Sequence, residues 1–145
     1  MLSLFSSKTY ENWAPVIGRI IFAGVFLMAA YGKIPGTEGF SSSVKYSAAN
    51  GMPLPQLAVT LAFLLEAGAG IALLIGWKTR LAAFMLMLFV VLLTLIFHLD
   101  VSNQNAIRTL IRHLELIAGL LYVSVYGAHH AAISHSLLPK KFTNS

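Results

Sequence analysis

Leu54 to Leu99, LPQLAVTLAFLLEAGAGIALLIGWKTRLAAFMLMLFVVLLTLIFHL, holds two apolar runs separated only by Trp77, Lys78, Thr79 and Arg80. Each run approaches the roughly 20 residues whose helical rise crosses the hydrocarbon of a bilayer. Backbone groups in hydrocarbon must be satisfied within their own segment, so both runs are α-helices. A break this short permits nothing but a tight turn, and the two spans, about 54–76 and 81–99, are therefore antiparallel.

Upstream, Ala14 to Gly32 is apolar except for Arg19 and stops at Lys33, Pro35 and Gly36, which predicts a span over about 14–33. Pro15 suits a first helical turn, and Trp13 and Tyr31 bracket the segment as interfacial aromatics do. Glu11 in the flank, with no A-x-A site promptly following, argues for a retained span rather than a cleaved signal peptide. In the one sizeable loop Phe40, Val44 and Ala48 recur at intervals of four, ahead of Asn50, Gly51 and Pro53. That spacing predicts an amphipathic surface helix over about 38–50, closed by Asn50 or Gly51 in the left-handed conformation. Downstream, the polar stretch Asp100 to Asn105 precedes a fourth span over about 106–126, and a tail occupies 127–145. His129, His130 and His135 in that tail read as interfacial, and no metal site is expected.

Four spans nearly exhaust 145 residues, so the fold class is all-α: a single-domain integral membrane four-helix bundle with a short amphipathic helix in the first, outer loop. Composition agrees, with 57% hydrophobic and 10% charged residues where soluble domains carry about 25% charged. No length remains for a separate soluble catalytic domain. The absence of cysteine excludes thiol–disulfide relays, cysteine-ligated iron–sulfur clusters and covalently attached c-type haem. The formal charge of +5 is scattered and forms no contiguous phosphate-contacting face, so no nucleic acid is expected as a partner. Lys8, Lys78, Arg80, Lys140 and Lys141 flank one side of the membrane, against Lys33, Lys45 and Arg108 on the other. This excess predicts both termini in the cytoplasm.

Phe22 to Lys33 (FAGVFLMAAYGK), Tyr46 to Pro55 (YSAANGMPLP), Glu66, Gly76, the Thr79-Arg80 pair, His98 and Arg112-His113 together resemble the DoxX family. The resemblance spans all four helices and is nearest to the family's small inner-membrane branch. It implies a four-helix bundle in the bacterial inner membrane. It further implies an association with quinone-coupled sulfur oxidation, as in the membrane subunit of thiosulfate:quinone oxidoreductase, or with oxidative-stress complexes. Where members of this branch tend to carry a lysine-asparagine pair in the last helix, this chain has Arg112-His113 and adds Glu115.

Projected at 100° per residue, the polar side chains share faces. Arg19, Ala23, Phe26, Ala30 and Lys33 form one stripe on the first span, and Arg108, Arg112, Glu115, Gly119, Tyr122 and Tyr126 form another on the fourth. Charge in hydrocarbon is costly, so both stripes are expected to face inward and pair. Counting helical rise from the outer edge puts Lys33 and His98 at the mouth, and Arg112 and Glu115 about 8 and 12 Å down. On the same count Glu66 lies about 18 Å down and Arg19 about 22 Å, which predicts an Arg19–Glu66 pair beneath a polar vestibule. Small residues around Glu66, including Gly68 and Ala72 as a small-xxx-small pair, favour close helix approach.

The candidate ligand-binding residues are therefore Arg19, Lys33, Glu66, His98, Arg112, His113 and Glu115, with no catalytic residue assigned. Arg19, Lys33, Arg112, Glu66 and Glu115 carry a net positive charge, which favours a ligand with partial negative charge. An apolar bundle interior with a few convergent polar groups suits a quinone or another amphipathic ligand. The chain holds no redox centre of its own that the sequence reveals, so electrons are expected from a soluble redox partner, and association into a membrane oligomer is also open. The alternative is a non-catalytic membrane interaction or lipid-binding protein. A b-type haem between His98 and His113 is disfavoured by about 9 Å of depth between them, and a transporter by size unless the chain oligomerises.

Overall fold

The computed structural model describes residues 8–97, 101 and 104–127, with the side chains of residues 8–12 left aside. Five helices follow one another: α1 (Lys8–Tyr31), α2 (Glu38–Ala49), α3 (Pro55–Ile75), α4 (Thr79–Phe97) and α5 (Gln104–Tyr126). Among the described residues there is no strand, and α1, α3, α4 and α5 are each long and apolar enough to cross a membrane.

The helix ends follow local chemistry. α1 starts earlier than the apolar segment does, so Pro15 sits inside the helix rather than in its first turn. Lys33 lies beyond the end of α1, in a turn where its backbone N–H donates to Ala30 O. Thr37 caps α2 by accepting from Phe40 N, while the left-handed residue behind α2 is Gly51 at φ +75, Asn50 having a negative φ. α3 ends in a Schellman motif: Gly76, at φ +76, donates to Leu73 O and Trp77 donates to Ala72 O. Thr79 then opens α4 at once, giving the tight antiparallel turn.

Packing runs in the order α1, α3, α4, α5, with α2 lying against α3 and only a small contact returning from α5 to α1. The core is built from small residues and a few leucines: Ala23, Ala69, Ala72, Ala82 and Ala83 around Leu73, Leu86 and Leu120. Between α1 and α3 the close approach is at Gly70, since a Cβ there would press on Leu27 of α1 at 3.1 Å. Gly68 faces open space, so the tight α1–α3 seam runs through Glu66, Ala69, Gly70 and Leu73 instead of through Gly68.

The outer surface of α3 carries Leu57, Leu61, Leu64 and Ile71, all exposed, while Arg19, Glu66 and Thr94 are buried. Apolar side chains outside and polar ones inside is the reverse of a water-soluble bundle and fits hydrocarbon as solvent.

Candidate functional site

The first element of the site is an ion pair inside the bundle. Lys33 leaves the turn after α1 and folds back along the helix: its Nζ donates to Ala29 O at 3.1 Å and to Glu66 Oε1 and Oε2 at 3.1 and 2.8 Å. The three contacts match the three donors of an ammonium. Glu66 is fixed by the middle of α3 and its side chain is 4% exposed, against 24% for Lys33.

Glu66 therefore pairs with Lys33 and not with Arg19. A count of both spans from a common edge puts Glu66 nearly level with Arg19, but the actual register is set by Gly70, whose backbone lies against Ala23 O and Leu27. Glu66 is then one turn to one side of that contact and Arg19 about one turn to the other, a separation of roughly 10 Å along the helices. The inward stripe itself is as expected, with Arg19, Ala23, Phe26 and Ala30 all buried.

Arg19 instead lines a cavity of about 400 Å³ between α1 and α5, near the end where α1 begins and α5 finishes. Phe22, Gly119, Tyr122 and Tyr126 share that lining. Gly119 lets the Phe22 ring lie directly against α5, since a Cβ there would press into the ring.

On α5, His113 turns towards α4 and its Nδ1 lies 2.9 Å from Thr94 Oγ1. Thr94 Oγ1 also lies 2.7 Å from Val90 O, so the one hydroxyl is shared between the α4 backbone and His113 of α5. Arg112 and Glu115 do not join this interior. Both are exposed, because α5 buries the face that carries Leu116, Leu120 and Val123. His98 lies outside the described residues. Arg112 and Glu115 cancel in charge, so it is the placement of Arg19 in the other cavity that removes the surplus positive charge expected near Glu66, where the Lys33–Glu66 pair is neutral as a unit.

The second element of the site is a cavity of about 660 Å³ beneath α2, bounded by the first half of α3 and the second half of α4. Its walls are Val59, Leu65, Phe89, Leu93 and similar residues, and Lys33 is the charged side chain in its lining. α2 contributes Ser42, Ser43, Tyr46 and Ser47. Ser47 is buried yet forms no side-chain hydrogen bond among the described residues, and Tyr46 meets Phe97 of α4 with ring centroids 5.7 Å apart. The Phe40, Val44, Ala48 spacing does not point to these hydroxyl groups, because it takes apolar residues alone for the inner face of α2. The half-buried and buried positions are Phe40, Ser43, Val44 and Ser47, and Ala48 is exposed. A helical wheel with serine counted as an interior residue finds them. α2 is held down by close backbone approach, since a Cβ on Gly39 would strike the carbonyl of Gly32.

The family model named DoxX matches residues 14–99, from α1 through α4. The chain belongs to the DoxX family. Among curated relatives, it is 29% identical to the inner membrane protein YqjF of Escherichia coli (strain K12), over 93% of this chain and 99% of that protein. It is 34% identical to the inner membrane protein YphA of the same organism over 45% of this chain and 44% of that one. No solved structure matches the chain significantly. With four membrane-length helices, this DoxX chain is a multi-pass inner-membrane protein in contact with the lipid bilayer. Both the ion pair and the cavity fall within the matched region, whereas α5 lies beyond it.

Proposed function

We propose that this DoxX protein binds an uncharged, polar-headed amphipathic molecule, a quinone, in the cavity beneath α2, as the membrane subunit of a redox assembly. The observation that carries this reading is the cavity itself: an apolar space of about 660 Å³ with one ammonium and several hydroxyls at its edge. Pockets of this size and lining hold a ring and the beginning of an apolar tail, with orientation fixed by few polar groups. Because Lys33 is neutralised by Glu66, the lining favours a carbonyl over a phosphate head.

A bound quinone accepts two electrons and two protons on reduction. The cysteine-free chain contributes the surroundings of that chemistry, and a partner protein contributes the electrons. Lys33, its three donors committed to Ala29 O and the Glu66 carboxylate, sets a positive charge at the cavity edge that orients a carbonyl oxygen, Glu66 holds Lys33 in place, and the walls from α3 and α4 exclude water. Ser47 supplies a further hydroxyl whose donor is not committed elsewhere among the described residues.

Purification in mild detergent, followed by extraction and quantification of quinone and lipid per chain, tests this. Ala62→Phe fills the cavity without touching the ion pair, Glu66→Gln releases Lys33, and Arg112→Ala lies away from both. Quinone is expected to fall in the first two variants and to persist in the third. Undiminished quinone in folded Ala62→Phe protein would remove the reading. Phospholipid recovered in place of quinone would establish the non-catalytic lipid-binding alternative.

A further inference from the structure

α5 is the least buried of the four membrane-length helices, although its span holds the most charged residues, Arg108, Arg112 and Glu115. Glu115 stands halfway along it, about 16 Å from either end, and is exposed. Arg112, one turn away on the same side, is exposed as well. Neither forms an ion pair or hydrogen bond through its side chain among the described residues. Arg108 extends the same exposed stripe towards the start of the helix, while beyond Glu115 the stripe passes Gly119, which lies against Phe22 of α1, to the outward-facing Tyr122 and Tyr126 at the rim of the α1–α5 cavity. A carboxylate at mid-depth cannot reach the interface by stretching, and lipid tails offer it no partner, so this face is not a lipid face.

We infer that the Arg112–Glu115 face of α5 is a homodimer interface, in which Arg112 of each copy pairs with Glu115 of the other. Two copies in one membrane share an orientation, so their twofold axis is the membrane normal and the two α5 helices run parallel with equal residues at equal depth. The offset between Arg112 and Glu115 is then about 4.5 Å along the axis, which the long arginine side chain covers. One stripe supplies both signs, so the surface is complementary to itself and two pairs form reciprocally. A partner of different chemistry would need to match one cation and one anion at this spacing, which a second copy does without further assumption. Exposed Ala118, adjacent on the helix to this stripe, lets the backbones come close.

The experiment counts chains per particle by single-molecule photobleaching in reconstituted bilayers. The natural chain has no cysteine, so Asn50→Cys provides a unique labelling position in the loop after α2. Wild type is expected to bleach in two steps. Arg112→Glu and Glu115→Arg each set like charges against one another and are expected to lower the dimer fraction by about tenfold or more. The double variant Arg112→Glu/Glu115→Arg restores opposite charges and is expected to restore two-step bleaching. If a reversal prevents folding, as judged by circular dichroism and the melting transition, Arg112→Gln and Glu115→Gln supply the same comparison without introducing repulsion. Single-step bleaching of folded wild type, dimers indifferent to both reversals, no recovery in the swap, or a different protein seated on α5 would each overturn the inference.

Discussion

Lys33 Nζ lies 2.8 Å from Glu66 Oε2, joining the turn after α1 to the middle of α3 across the seam that Gly70 keeps narrow. Each partner responds differently to loss of the other. A lysine freed of Glu66 has a long stem and can lift its ammonium towards the headgroups. A glutamate freed of Lys33 is left near mid-membrane with a short stem. Lys33→Met is therefore expected to destabilise the protein by about 3–5 kcal/mol, and Glu66→Gln by less. The double variant Lys33→Met/Glu66→Gln should be more stable than Lys33→Met alone. Denaturation of all four proteins in one detergent gives the coupling, and additive losses would mean that the pair contributes no mutual stabilisation.

Gly70 and Gly68 offer a matched comparison on one helix. A Cβ at Gly70 meets Leu27 at 3.1 Å, whereas one at Gly68 meets nothing within 4 Å. Overpacking of a closed seam costs about 1–3 kcal/mol, so Gly70→Leu should lower the melting temperature measurably. Gly68→Ala should leave it unchanged or raise it, because alanine is about 1 kcal/mol better than glycine in a helix interior. Equal responses at the two positions would show that α1 and α3 do not meet along the Gly70 side.

Much of this architecture is legible in the sequence, because a bilayer ties span length to hydrocarbon thickness. The runs around Leu57 and Leu88 could be little else, and Arg19 does share a buried face with Ala23, Phe26 and Ala30. The partner of Glu66 is not legible. It depends on the axial register between α1 and α3, which a glycine contact fixes and no count from a membrane edge contains. α5 misleads for a different reason. Its charged stripe points, on sequence grounds, to the interior of one chain, yet burial follows Leu116, Leu120 and Val123 on another face. In membranes the interior that receives charge can belong to an assembly. Ser43 and Ser47 escape any reading of α2 that follows apolar spacing alone.

Thr94 and His113 bind α4 to α5 through one hydrogen bond of 2.9 Å, with Thr94 itself anchored to Val90 O. Thr94→Val keeps the shape and removes the hydroxyl that His113 Nδ1 meets. Hydrogen bonds between membrane helices average about 0.6 kcal/mol and reach about 1.7 kcal/mol, so a loss near 1 kcal/mol is expected. Thr94→Ser, which keeps the hydroxyl, should lose less than Thr94→Val. A valine variant as stable as wild type would show that this contact does not hold α5 in place.

Orientation decides which leaflet the α2 cavity can draw from. The end of the bundle that carries Lys8, Lys78 and Arg80, with Lys140 and Lys141 in the tail, outnumbers in basic residues the end that carries Lys33, Lys45 and Arg108. Lys78 and Arg80 weigh most, since they sit in a very short turn between two spans, where positive charge best resists translocation. Both termini are thus expected in the cytoplasm, and the mouth of the cavity on the periplasmic side, where it would load from the outer leaflet of the inner membrane. Reporter fusions at Asn50 and Ser145 separate the two arrangements: an alkaline phosphatase signal from Asn50 and a fluorescent protein signal from Ser145 are expected. The reverse pattern would invert the molecule and move the cavity to the cytoplasmic leaflet. Charge variants of the same fusions check the cause and not only the outcome. If Lys78 and Arg80 set the orientation, Lys78→Ala/Arg80→Ala should produce a mixed population of the two reporter signals, whereas Lys45→Ala should sharpen the original one.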